Sequence, residues 1–258
     1  MSRFRGNVDP AWFAPPGPNG GFLAALIIRS MRATIDDPSR EPRSITIHYL
    51  RPPAAGEVEV EVTIERSGRN ASTCSARMIQ AGKTTGLALC VFAADFEAVD
   101  EWSTSAPVVP PPDQVEMLSF PGGAAPPIFE QVETRPTFGP PIFSGGEEAL
   151  TGGWTRTAVA SPLDAELLAL YADIWWPAPF GRLTLEPADG LVSAPTLDLT
   201  IHFRDKPPDG DREQVLGRFS SSTLVRGMWE EDGELWSEDG RLLVQSRQLA
   251  LLRPLPSP

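Results

Sequence analysis

The feature that most constrains this chain is an echo. Thr46-Ile47-His48-Tyr49 runs into Pro52-Pro53, and Thr200-Ile201-His202-Phe203 runs into Pro207-Pro208; these quartets hold both of the chain's 2 histidines. Three shared letters can arise by chance, but their placement is harder to dismiss. Each quartet sits on the first strand after the helix of its half, at an offset of 202 − 48 = 154. The later hairpin turns follow in near register, Gly82 against Gly240, an offset of 158. Self-similarity at a fixed spacing is the signature of a duplicated unit.

Each half reads as one helix followed by antiparallel strands. In the first, the turn Gly17-Pro18-Asn19-Gly20-Gly21 opens a helix whose apolar residues run from Phe22 to Ile28. Arg29 and Arg32 close it, where positive charge suits the helix dipole. Its apolar positions wrap most of the circumference, so it is expected to be buried on nearly all sides. Strands are predicted over 44–50, 57–65, 72–80 and 84–93, with Val58, Val60, Val62 and Ile64 facing inward. The proline-rich stretch 101–127 reads as a linker between a unit at 1–100 and a unit at 128–258, with Val115, Met117, Leu118 and Phe120 as apolar residues available to pack onto a domain. In the second unit Ser161 is the expected N-cap, with Pro162 at the first helical position and Asp164 in the first turn. Strands follow at 196–203 and near 214–226, then a hairpin turning at Glu238-Asp239-Gly240.

Charge narrows the partners. With 22 basic and 34 acidic residues the net charge is −12, which argues against nucleic acid or anionic membrane as a general partner. No apolar run reaches membrane-spanning length. Cys74 and Cys90 lie in apolar strand text without metal or redox spacing, as buried thiols of a reducing, cytoplasmic interior would.

A buried helix wrapped by an antiparallel sheet, twice in one chain, resembles the α+β double hotdog fold: two antiparallel sheets, each around a long central helix, as a tandem repeat. The segments "GPNGGFLAAL", "HYLRPP" and "RSGRNASTCSARMIQAGK" are similar to the N-terminal half of the acyl-CoA thioesterase II family. "TLDLTIHF" through "WSEDGRLLVQSRQLALLR" resembles its C-terminal half. The resemblance implies hydrolysis of an acyl-CoA or related thioester, with no cofactor beyond the CoA of the substrate, in a homo-oligomer. It further implies a water activated by an Asp, a Ser or Thr, and a Gln. Carried onto this chain, these are Asp198, a hydroxyl among Ser221, Ser222 and Thr223 with register favouring Ser222, and Gln248. In the first half Ser44 and Cys90 stand at the acid and amide positions, so only the second half retains that pair. Gly20 and Gly21 at the first helix start are expected to let a substrate approach, with backbone N–H groups facing the oxyanion.

Other readings attach to other residues. Asp164 or Glu166 on the second helix is the alternative base, and Arg66 and Arg69 are candidates for the CoA phosphates. Trp175 and Trp176 read as core or pocket wall. His48 and His202, repeated in both halves, read as structural, which weighs against a hydratase or dehydratase. A non-catalytic acyl-CoA-binding protein is the alternative from another class.

Overall fold

The computed structural model describes residues 1–15, 17–120, 125–184, 192–208 and 214–254. Residues 121–124 of the expected linker lie outside them. Two α-helices are present among the described residues, α1 (Gly20–Ile35) and α2 (Ala165–Tyr171). Twelve strands form one sheet. The first five are β1 (Ser2–Val8), β2 (Glu41–Tyr49), β3 (Gly56–Ser67), β4 (Ala71–Gln80) and β5 (Lys83–Ala93). The others are β6 (Val132–Phe138), β7 (Leu150–Thr157), β8 (Thr196–Phe203), β9 (Val215–Ser220), β10 (Leu224–Val225), β11 (Met228–Ser237) and β12 (Leu242–Leu251). The order across the sheet is β1-β3-β4-β5-β2-β8-β12-β11-β9-β7-β6, with β10 paired to β11.

The expectation of two sheets is corrected to one. An edge strand carries unpaired N–H and C=O groups, and here β2 and β8 satisfy each other's by pairing antiparallel. Thr46 stands opposite Thr200, their hydroxyls 3.0 Å apart, with Ile45 opposite Ile201 and Ile47 opposite Leu199. The one pair at the repeat offset of 154, Thr46 and Thr200, thus meets face to face, as the central pair does where a two-fold axis crosses paired strands. His48 and His202 lie on the exposed face of this seam.

Both helices pack on the other face, in a single core. Leu23, Ala24, Ile27, Ile28 and Met31 of α1 join Leu168, Ala169 and Tyr171 of α2 against Ile45, Ile47, Val60, Met78, Ile201 and Phe219. Ile27, Ile28 and Met31 are at most 1 % exposed. Burying a side chain of that size stabilises the fold by about 1.5–3 kcal/mol. Arg29 stays exposed, so α1 keeps one wet stripe.

Two local expectations change. The second helix has only 7 residues and is capped by Asp164 rather than Ser161. The Asp164 carboxylate accepts the Leu167 N–H at 2.8 Å, whereas the Ser161 hydroxyl donates to the carbonyl of Val159. Ile64 does not face the core: it is 41 % exposed, beside a bulge between Ile64 and Arg66. The proline-rich segment packs onto the sheet, as expected for Val115: Ala106, Val109 and Val115 cover Trp154, Leu216, Trp236 and Leu242 on the outer face. Trp154 Nε1 donates to the carbonyl of Pro110 at 2.9 Å. Among the described residues no helix is long and apolar enough to cross a membrane.

Candidate active site

Helix α1 begins at Asn19, whose Oδ1 accepts the Phe22 N–H at 2.9 Å and caps the helix. The amide's other end, Nδ2, donates to the carbonyl and to Oδ2 of Asp173, the latter at 3.1 Å. The Gly21 N–H donates to the same Oδ2 at 3.1 Å. A carboxylate just beyond α2 is therefore held at the positive end of α1, where helix N–H groups and dipole favour an anion.

The two glycines make that approach possible. A Cβ on Gly21 would lie 2.6 Å from the Ala169 carbonyl oxygen, and one on Gly20 would lie 2.9 Å from Asp173 Oδ2. The glycines were expected at the substrate oxyanion; here the Gly21 N–H donates to Asp173, and the bare backbone serves helix-to-helix contact. Tyr49 adds a phenol that donates to the Gly20 carbonyl at 2.7 Å. Burial, with the charge of Asp173 behind it, raises this phenol well above its ordinary value and keeps it a donor.

Opposite lies the sheet. Strand β8 carries a bulge at its start, so that Thr196 pairs with Ala250 and Asp198 with Leu249. The slip turns Thr196 to the inner face while Asp198 keeps the parity of Thr200 and His202. Thr196 Oγ1 donates to Gln248 Oε1 at 2.7 Å. Gln248 Nε2 donates to Glu231 Oε1 at 2.7 Å, and Glu231 Oε2 accepts the Ala178 N–H at 2.8 Å. Glu231 and Gln248 are 5 % and 6 % exposed.

The two inner carboxyls are not ordinary. Asp173 keeps some surface toward the cavity but is enclosed elsewhere, and burial pushes its carboxyl up to about 6. Hydrogen bonds from Gly21, Gly20 and Gln248 oppose that rise. Glu231 is pushed up to about 8 by burial, with the charges of Asp173 and Asp232 acting in the same sense. The Ala178 N–H and Gln248 offset part of it.

Asp173, Thr196 and Gln248 share the wall of one cavity of about 340 Å³, a volume in the range of small-molecule sites. Leu23, Trp175, Phe180 and Trp229 supply its apolar walls, and the exposed Arg51 and Arg253 also line it.

Of the residues expected from sequence, this site gathers Gln248, Gly20 and the neighbouring Gly21, with Trp175 as wall. It does not gather Asp198 or Ser222. Asp198 lies across from His48 on the outer side of the seam. Ser222 is exposed, its N–H and hydroxyl both donating to Glu230 Oε1 at 2.8 and 2.7 Å. Thr223 is exposed as well, and the Ser221 N–H donates to the carbonyl of Ala149. Arg66 and Arg69 are exposed away from the cavity, and Glu166 is paired at 2.8 Å with Arg32 in the last turn of α1. The residues missed were Asp173, Thr196 and Glu231. An acid inside the apolar text "YADIWW" was the available signal for the first.

Comparison with known proteins bears on the fold and the family. The acyl-CoA thioesterase N-terminal domain profile matches residues 8–94, and the C-terminal domain profile matches residues 111–252. A conserved protein of unknown function with a hot dog fold from Alicyclobacillus acidocaldarius superposes with a TM-score of 0.86 at 26% identity, over 99% of this chain and 94% of that one. An acyl-CoA thioesterase II from Mycobacterium marinum superposes with a TM-score of 0.76 at 22% identity, over 99% of this chain and 94% of its own. An uncharacterized protein of Mycobacterium tuberculosis is 24% identical over 96% of this chain and 90% of its own length. The fold is a hotdog fold. With both domain profiles matched in order along its length, the chain belongs to the acyl-CoA thioesterase II-like family.

Proposed function

We propose that the chain hydrolyses acyl-CoA thioesters with a water held between Asp173, Thr196 and Gln248. The carrying observation is that a carboxylate, a hydroxyl and an amide, from three separate places in the sequence, line one cavity with the hydroxyl and amide already bonded at 2.7 Å. The family resemblance asks for that trio of groups; the amide is the expected Gln248, while the carboxylate and the hydroxyl come from other positions than Asp198 and Ser222.

The chemistry follows from the groups. At pH 7 a carboxyl near 6 is mostly ionised yet basic enough to take a proton from water. The water oxygen attacks the thioester carbonyl carbon as Asp173 accepts its proton. The C–S bond then breaks, and the leaving thiolate takes up that proton, giving free acid and CoA thiol. Thr196 and Gln248 fix the water's direction, which lowers the entropic cost of the attack. Apolar walls at Leu23, Trp175, Phe180 and Trp229 take the acyl chain, at about 0.8 kcal/mol per buried methylene. In an acidic chain, phosphates need local cations, and Arg51 and Arg253 provide them at the same cavity.

We further infer that the chain is two fused hotdog units, 1–100 and 128–258, joined by the segment 101–127. The meeting of Thr46 and Thr200 supports this. Thiol release from octanoyl-CoA tests the hydrolytic reading. Wild type is expected to release CoA, and Asp173→Asn to lose about 10²-fold or more of kcat. Unchanged turnover in Asp173→Asn would sink it.

A further inference from the structure

One buried titratable group is left over by this mechanism. Glu231 does not line the cavity; it lies behind Gln248, 5 % exposed, with both carboxylate oxygens engaged. Resting on the hydrolytic reading above, we propose that Glu231 is a positioning residue that sets the sense of the Glu231–Gln248–Thr196 hydrogen-bond chain and so decides which way the Thr196 hydroxyl hydrogen points.

The argument is one of donors and acceptors. An amide side chain has one accepting end and one donating end, and can sit either way round. An ionised Glu231 only accepts. Its Oε2 takes the Ala178 N–H at 2.8 Å, so Oε1 must face the Nε2 end of Gln248, as it does at 2.7 Å. Gln248 then offers Oε1 to Thr196, whose hydrogen is committed to it at 2.7 Å. The Thr196 lone pairs are left to accept a hydrogen from the water, orienting its oxygen toward the substrate carbon. A protonated Glu231 becomes a donor toward Gln248. The amide then turns over, Nε2 faces Thr196, and the hydroxyl hydrogen is released to point at the water.

The surroundings make that proton available in an ordinary pH range. Around Glu231 stand the Ala178 N–H, Gln248 on β12, Asp173 beyond α2 and Asp232 on its own strand; the charged neighbours are both acidic. Burial and those charges place its titration near 8.

The test uses the full chain and octanoyl-CoA. In wild type, kcat is expected to rise with pH through two steps, near 6 as Asp173 ionises and near 8 as Glu231 does. Glu231→Gln carries its own donor, so it is expected to keep the first step, lose the second, and run about tenfold slower above pH 8 with KM within about twofold, a cost of mispositioning rather than of binding. Glu231→Val, with no donor or acceptor, is the second variant and is expected to lose the same step. The Gln248 side-chain amide resonances, followed by NMR without substrate, should shift near pH 8 in wild type and not in Glu231→Gln. A folded Glu231→Gln with wild-type kcat and pH profile, or a Gln248 amide insensitive to pH between 7 and 9, overturns the proposal. If the amide titrates but Asp173→Asn still turns over, the positioning stands and the assigned base is what fails.

Discussion

The two ends of the helix pair carry different chemistry at matching places on the sheet. At the start of α1, sheet positions on β11 and β12 carry Glu231 opposite Gln248. The corresponding positions on β4 and β5 carry Cys74 opposite Cys90, both buried and free. Burial raises the Cys90 thiol well above its ordinary value, with Cys74 beside it, so the pair is apolar filling rather than nucleophile. Where the first end sets a carboxylate against bare helix N–H groups, the second has Asp164 capping its own short helix and Arg32 clamped between Glu41 and Glu166 at 2.8 Å each. A cleft of about 600 Å³ opens there, larger than the first. Volume therefore does not distinguish the ends; the placement of proton acceptors does.

Substitutions can break or sharpen that contrast. The largest expected effect is on turnover at the first end. Gln248→Ala should lower kcat about 10²-fold while Asp198→Ala and Ser222→Ala stay within about twofold of wild type in thiol release, a ratio that tells oriented water from bystander. If Asp198→Ala is the damaging change, the comparison has been drawn at the wrong acid. Next is stability. Gly21→Ala puts a methyl carbon 2.6 Å from a backbone oxygen and is expected to cost about 1–3 kcal/mol, read as a lower melting temperature. The equivalent insult at the second end, Cys90→Val, adds little volume and should cost less than about 1.5 kcal/mol.

A smaller effect is the pH dependence of stability. Glu231 has its carboxyl raised from 4.5 to about 8 in the fold, so the native chain holds that proton more tightly than the unfolded chain does. Stability is fully present below 4.5, falls as pH rises between 4.5 and about 8, and stays lower beyond. Melting temperature should thus fall from pH 5 to pH 9, and fall less in Glu231→Gln. The least effect is expected from Cys74→Ser, for which turnover of octanoyl-CoA should not move at all.

The fold was largely legible because strands and helices announce themselves by period. Strand β8 was predicted to its end residues, and α1 follows from its apolar run and its turn. The edge strands β1 and β6 were not, since an edge strand such as Ser2–Val8 buries little on either side. The site was legible only where it rides on a periodic element, as Gln248 does. Thr196 was hidden by the bulge, because parity read straight through β8 puts it with Asp198. Asp173 follows a helix of 7 residues, and its meaning comes from Asn19 and Gly21, more than 150 positions earlier. No local window holds both.

That last contact has a consequence for how the protein can be made and altered. On the proposed reading the base, Asp173, is cradled by Asn19 and Gly21 from the far end of the sequence, so neither half would be a working part in isolation and the smallest catalytic particle would be the whole polypeptide. A pair of identical halves would offer two workplaces and oblige every change to suit both. If the proposed duplication holds, joining the halves in one chain lets one workplace be kept and leaves the end at Cys74 and Cys90, both buried and free, to packing alone.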